Sequence, residues 1–158
     1  MTSYRTLDAI GDVSGKRVLV REDLNLPMAD GRVSDDTRLR ATIETVAELA
    51  DRGAIVLLLA HFGRPKGQMN PALSLAPLTR PYSALLGREV TFVGDCQGPT
   101  AEAAVAGLTP GSIAILENTR FHPGELTNDP ALVAAIAKLG DLYVNDAFSA
   151  AHRAHAST

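Results

Sequence analysis

The sequence predicts an α/β domain built on an open parallel β-sheet with helices on both faces. Three observations carry that expectation. Short apolar runs alternate with stretches whose apolar residues recur at helical spacing, and glycines close several of the helical stretches. One run, residues 54–60 (AIVLLLA), is apolar at every position, as a strand buried on both faces of a parallel sheet requires. Strands and helices alternating at these lengths form right-handed βαβ units, which layer into a single domain.

Residues 17–21 (RVLVR) form the first strand. After a stretch containing proline and glycine, residues 36–52 form a helix, with Leu39, Ile43, Val46, Ala47 and Ala50 on its apolar face and Gly53 as its stop. The run 54–60 is the second strand. Residues 75–86 read as a helix with Pro77 in its first turn and Gly87 after it, and Pro81 is expected to leave its middle irregular or kinked. Residues 90–93 give the third strand, 99–107 an alanine-rich helix and 113–116 the fourth strand. Asp129-Pro130 opens the last helix, because aspartate accepts from free amides and proline gives up an amide that had no partner. Leu132, Ile136 and Leu139 make its buried face, Gly140 ends it, and 142–144 is the fifth strand.

Composition narrows the function. A chain of 158 residues, 46% hydrophobic and 21% charged, suits one domain with a real core and leaves no room for a second. A net charge of −3 disfavours a general nucleic-acid binder or an anionic-membrane binder, so any basic site must be local. No run is long enough to cross a bilayer. The single cysteine, Cys96, cannot form an intrachain disulfide, and residues 1–15 lack the apolar stretch of a secretory signal, so a reducing cytoplasm is the expected compartment.

In open parallel sheets the loops after the strands form the ligand crevice. Those loops hold Asp23, Asn25 and Arg38; His61, Arg64 and Lys66; Arg120 and His122; and Asp146, His152, Arg153 and His155, so all four histidines fall on this edge. Each motif alone is ambiguous. The segment 61–67 (HFGRPKG) suits an anion and equally a solvated turn; it is no P-loop, and no dinucleotide glycine pattern follows a strand. Arg120 can grip a carboxylate or phosphate with two bonds, or pair with Glu117 or Glu125. Asp23 and Asn25 suit substrate hydroxyls or an ordinary turn before Pro27. A metal site at His152 and His155 is disfavoured by Arg153 between them, and Ser149 lacks a nucleophile-elbow setting. Convergence of Arg38, Arg64, Arg120 and Arg153 from four segments implies a strongly anionic ligand and no metal.

Four ordered motifs carry a resemblance. Residues 21–27 (REDLNLP), 61–67 (HFGRPKG), 116–122 (LENTRFH) and 146–158 (DAFSAAHRAHAST) closely resemble signatures of the amino-terminal domain of phosphoglycerate kinase, over a match from about Val18 to the end. The resemblance implies a three-layer, Rossmann-like domain spanning 1–158 that binds 3-phosphoglycerate or 1,3-bisphosphoglycerate. It implies Asp23, Leu24 and Asn25 at the glycerate end, and His61, Phe62, Gly63, Arg64, Arg120 and Arg153 around the phosphate, with His152 beside them. Arg38 would be the catalytic residue, stabilising charge on the moving phosphoryl group. Magnesium and ATP or ADP would be bound by a nucleotide-binding carboxy-terminal domain absent from this chain, so the chain would not turn over alone. The full enzyme is expected to be a cytoplasmic, glycolytic monomer with no nucleic-acid or membrane partner. The competing reading is a stand-alone, non-catalytic anion-binding module of the same fold.

Two positions depart from the commonest pattern: Glu22 places a charge at the end of a buried strand, and Ser149-Ala150 replaces a frequent Gly-Thr. Because the sequence stops at Thr158, shortly after Arg153, a frayed end and a poorly held arginine are also expected.

Overall fold

The computed structural model describes residues 5–147 and 151–158. Strands β1 (Arg17–Arg21), β4 (Ile55–Leu59), β5 (Val90–Val93), β6 (Ile113–Leu116) and β7 (Leu142–Asn145) form one parallel sheet in the order β5-β6-β4-β1-β7. Among the described residues there are four α-helices, α1 (Thr37–Asp51), α2 (Thr79–Leu86), α3 (Gly98–Ala106) and α4 (Pro130–Ala137). The remaining strands, β2 (Met28–Ala29) and β3 (Arg32–Val33), make a small hairpin between β1 and α1.

Alternation along the strands divides the core in two. Val18, Val20, Val56, Leu58, Ile113 and Ile115 face one side, where Leu39, Val46 and Leu49 of α1 and Tyr82 of α2 cover them. Leu19, Leu57, Leu59, Ala114 and Leu116 face the other, against Ala101 and Val105 of α3 and Leu132 and Ile136 of α4. The strand order explains this split. The chain steps in one direction through β1, β4 and β5 and then reverses through β6 to β7, and right-handed crossovers put the helices of opposite steps on opposite faces. The layering is therefore helix, sheet, helix, with β4 buried at every residue in the centre.

The five expected strands are all present, and β7 runs one residue longer than the sequence implied. Pro81 does not kink a continuous helix. A 3₁₀ turn at Ala76–Leu78 precedes α2, which puts Pro81 third in the α-helix, where a backbone N–H has no intrahelical partner to lose. Asp129 caps α4 by accepting from the Ala131 amide at 3.0 Å.

Glu22 carries no charge at neutral pH, contrary to expectation. It is fully buried, its carboxyl oxygens lack a well-formed hydrogen bond, and burial, together with the neighbouring Asp146 carboxyl, pushes its pKa up to about 10.

The end of the chain is not frayed either. Ser157 is buried; its amide and hydroxyl donate to the two oxygens of the Glu125 carboxylate, each at 2.7 Å. The Ala156 amide donates to the Glu125 carbonyl at 2.9 Å, and the Tyr143 hydroxyl donates to the Ser157 carbonyl at 2.8 Å. Phe148, Ser149 and Ala150 lie outside the described residues.

Candidate anion-binding site

Parallel pairing aligns the carboxyl ends of the strands, with Arg21 opposite both Leu59 and Asn145. The loops after β1 and β4 leave toward the α1/α2 face and that after β6 toward the α3/α4 face, so a crevice opens between them, as at a topological switch point. A cavity of about 280 Å³ lies there, lined by Asp23, Asn25, Arg38, His61, Gly63, Arg64, Arg120 and Arg153. Five basic side chains from four segments far apart in sequence thus share one wall, among the described residues, with a single carboxylate, although the chain as a whole is acidic.

Three of the residues singled out by sequence stand elsewhere. The Leu24 side chain is wholly in the core. Phe62 packs against the same core, while its backbone amide and carbonyl are both bonded to the Asn118 side chain, at 3.2 and 2.7 Å. His152 is exposed and does not line the cavity. His122 and His155 instead border an adjoining cavity of about 670 Å³ that shares Arg64, Arg120 and Arg153 with the first.

Local chemistry explains how the cationic groups are held. Arg38 sits in the first turn of α1, where its Nη1 donates to the Asn25 carbonyl at 2.6 Å and lies 3.4 Å from Asp23 Oδ1. The Asn25 side chain accepts from the Gly63 amide at 3.0 Å, joining the loops after β1 and β4. Gly63 has φ +61°, a conformation that strains any residue with a Cβ, and a Cβ there would also push the Leu73 Cδ2 aside from 2.8 Å. Gly67 is equally constrained, with φ +73° and the Pro123 Cα 2.9 Å from a notional Cβ, and its amide donates to the Arg120 carbonyl.

Arg120 pairs with neither of the acids proposed for it. Glu117 accepts from Ser74 Oγ at 2.6 Å and from the amides of Leu75 and Asn118, while Glu125 serves Ser157. The Arg120 Nη1 donates to the Gly63 carbonyl at 3.2 Å, and among the described residues its buried Nε has no partner. Burial first, and then the Arg153 charge, lower its pKa. A guanidinium left without a carboxylate among other cations is the condition in which an incoming anion gains most.

His61 is held at the pocket wall by Arg21, whose Nη2 lies 2.8 Å from His61 Nδ1. Burial above all, then the charges of Arg21 and Arg120, lower the His61 pKa to about 4, so the ring is neutral at physiological pH. Sequence reading overlooked Arg21, Asn118 and Glu125 as parts of this architecture. For Arg21 and Asn118 the signal was a strongly polar residue at the end of an apolar run, which is costly to bury unless fully hydrogen-bonded, whereas Glu125, in the turn-rich stretch 122–130, gave none.

A metal centre does not suit the pocket, whose one acid, Asp23, faces Arg38. Among the described residues the ligand atoms of Asp95, Cys96 and His122 lie within 4.8 Å of one another. The His122 Nε2 already bonds to Asp95 Oδ1 at 2.8 Å, and burial raises the pKa of the Cys96 thiol well above its usual range. That donor set includes a thiol, whereas magnesium takes oxygen ligands, so these residues do not fit a magnesium-nucleotide group. Among the described residues no helix is long and apolar enough to cross a membrane.

Fold and site together define an α/β domain with a basic pocket at the carboxyl edge of its sheet. The family model for phosphoglycerate kinase matches residues 7–158, and the chain belongs to that family. It is 73% identical over 156 residues to a phosphoglycerate kinase of Rhizorhabdus wittichii and 66% identical to one of Zymomonas mobilis, covering 99% of this chain and 39% of each relative. Among solved structures, phosphoglycerate kinase from Coxiella burnetii superposes with a TM-score of 0.87 at 34% identity, covering 99% of this chain and 38% of that one. The enzyme from Pyrococcus horikoshii gives 0.83, also at 34% identity, over 92% of this chain and 37% of that one. The chain thus spans about two fifths of the length of the relatives it matches.

Proposed function

We propose that residues 1–158 form the substrate-binding, amino-terminal domain of a phosphoglycerate kinase and bind 3-phosphoglycerate or 1,3-bisphosphoglycerate in the basic pocket. The observation that carries this reading is the convergence of Arg38, Arg64, Arg120, Arg153 and His61 on one cavity of about 280 Å³. A phosphoglycerate brings a phosphate and a carboxylate, and the two ends of the pocket differ as those groups do. Arg64, Arg120 and Arg153 form the more cationic end, which suits the phosphate, while Asp23 and Asn25 supply hydroxyl-directed groups beside Arg38.

Arg38 is the catalytic residue in this proposal. Its Nη1 is tethered to Asn25 and faces Asp23, which fixes the guanidinium in the pocket lining. There its charge meets the glycerate carboxylate and the phosphoryl group in flight, where negative charge spreads over the equatorial oxygens. The neutral His61 contributes a hydrogen-bond donor that does not change with pH near neutrality. Phosphoryl transfer requires magnesium and ATP or ADP, which in this proposal are held outside residues 1–158, as befits a stretch that spans about two fifths of its relatives' length, so these residues by themselves bind without turning over. The longer enzyme acts as a monomer in the cytoplasm, in glycolysis.

Calorimetric titration of the purified chain tests this. Saturable binding of 3-phosphoglycerate that weakens with salt, with no comparable binding of magnesium-ATP, is the expected result. Tighter binding of ATP than of 3-phosphoglycerate would overturn the assignment.

A further inference from the structure

The pocket wall is tied to the chain's last described residues by a buried polar relay that the substrate assignment does not use. Glu125, fully buried, accepts from the Ser157 amide and hydroxyl, at 2.7 Å each. The Ser157 Oγ in turn accepts from Arg21 Nε at 3.0 Å. Arg21, 1% exposed, sends Nη1 to the Glu22 carbonyl at 2.7 Å and Nη2 to His61 Nδ1 at 2.8 Å. A guanidinium only donates, so His61 Nδ1 is an acceptor without a proton, and the ring's one proton is on Nε2. The same anchored segment carries Arg153, whose carbonyl accepts from Thr158 Oγ1 at 2.6 Å.

We propose that Glu125 is a positioning residue: through Ser157 and Arg21 it fixes His61 as a neutral Nε2–H donor on the pocket wall and seats the segment that carries Arg153. The relay places a carboxylate and a guanidinium, both buried, on opposite sides of one serine hydroxyl, so the charges offset each other and every bond has a single direction. Removing the hydroxyl leaves the Arg21 Nε–H without an acceptor in the interior, and the guanidinium can then swing to a new partner and release His61.

The charged groups near His61 are Arg21 and Asp23 from the β1 end and Arg120 and Glu125 from the loop after β6, and Arg38, Arg64 and Arg153 line the same cavity. Cations predominate among them, consistent with a ring that stays neutral.

Nitrogen-15 histidine spectra of the 158-residue chain test the proposal without 3-phosphoglycerate, so they stand apart from the substrate assignment. Wild-type His61 is expected to show a protonated Nε2 and a bare Nδ1, with no titration above about pH 5, as expected for a buried ring beside guanidinium groups. Ser157→Ala should mix the two tautomers, move the titration toward the ordinary range near 6.5 and weaken inorganic phosphate binding about tenfold, the effect of one lost charge-assisted bond. Ser157→Thr, which keeps the hydroxyl, should restore all three. Glu125→Gln keeps the shape while removing the charge, and should shift the tautomer ratio in the same direction as Ser157→Ala. A merely structural role would lower stability without moving the tautomer. A wild-type His61 protonated on Nδ1, or a folded Ser157→Ala or Glu125→Gln chain with an unchanged His61 signature, would overturn the proposal.

Discussion

Substituting Glu22 by glutamine should stabilise the domain, and the size of the gain follows from its site. The Glu22 side chain is fully buried at the end of β1, and its pKa rises from 4.5 to about 10 through burial and the adjacent Asp146. Below pH 4.5 the folded and unfolded chains both hold the proton, and folding carries no proton penalty. Between 4.5 and about 10 only the folded chain holds it, so stability falls as pH rises, by about 1.4 kcal/mol per pH unit. At pH 7.5, three units above the unfolded value, the accumulated penalty is about 4 kcal/mol. Glutamine has the same shape, cannot ionise and still presents a donor toward Asp146. It leaves a buried amide imperfectly bonded, which lowers the net gain to about 2–4 kcal/mol at pH 7.5 and to under about 1 kcal/mol at pH 5. Urea denaturation of both chains across this range measures the difference directly. Parallel stability curves for wild type and Glu22→Gln would show instead that Glu22 is ionised in the folded state.

Three further outcomes follow from the site. Asn118→Ala removes a buried side chain that accepts from the Phe62 and Arg120 amides and donates to the Phe62 and Leu73 carbonyls; it should cost about 2–4 kcal/mol in denaturation and loosen both pocket loops together. Gly67→Ala, at φ +73° and against Pro123, should cost about 1–3 kcal/mol and weaken 3-phosphoglycerate binding, measured by denaturation and calorimetry. In the full-length enzyme, Arg38→Ala should lower kcat far more than it raises KM if Arg38 has the catalytic role proposed for it, in which its main contact strengthens in the transition state; an effect on KM alone would reduce Arg38 to a binding role.

Much of this architecture is legible in the sequence because its strands are apolar throughout. A run such as 54–60 cannot be solvated on either face, and its position fixes the centre of the sheet and the edge where His61 must emerge. Strand order is not legible in the same way: nothing local to residues 90–93 says that β5 lies at the edge and β6 between it and β4. The β2–β3 hairpin went unread although Asp30-Gly31 marks it. Both residues have positive φ, 52° and 73°, as a tight hairpin turn requires, but strands of two residues carry no periodicity.

The pocket arginines were legible because they share an edge that the βαβ pattern defines. Their supports were not. Arg21 ends an apolar strand, Asn118 looks like a turn residue and Glu125 looks like a partner for Arg120, and only the three-dimensional contacts assign the first to His61, the second to Phe62 and the third to Ser157. Glu22 presents the same difficulty in reverse: sequence shows an ionisable group, while its charge state is decided by burial and by Asp146, far along the chain.

In the function proposed above, 3-phosphoglycerate occupies the cavity between the loops after β1, β4 and β6. Mapping amide chemical shifts of the 158-residue chain during titration with 3-phosphoglycerate tests it most directly. Saturable shifts concentrated at Asn25, Arg38, Gly63, Arg64, Arg120 and Arg153 are the expected result. Shifts that bypass these residues, or a response there to ATP and none to 3-phosphoglycerate, would contradict it.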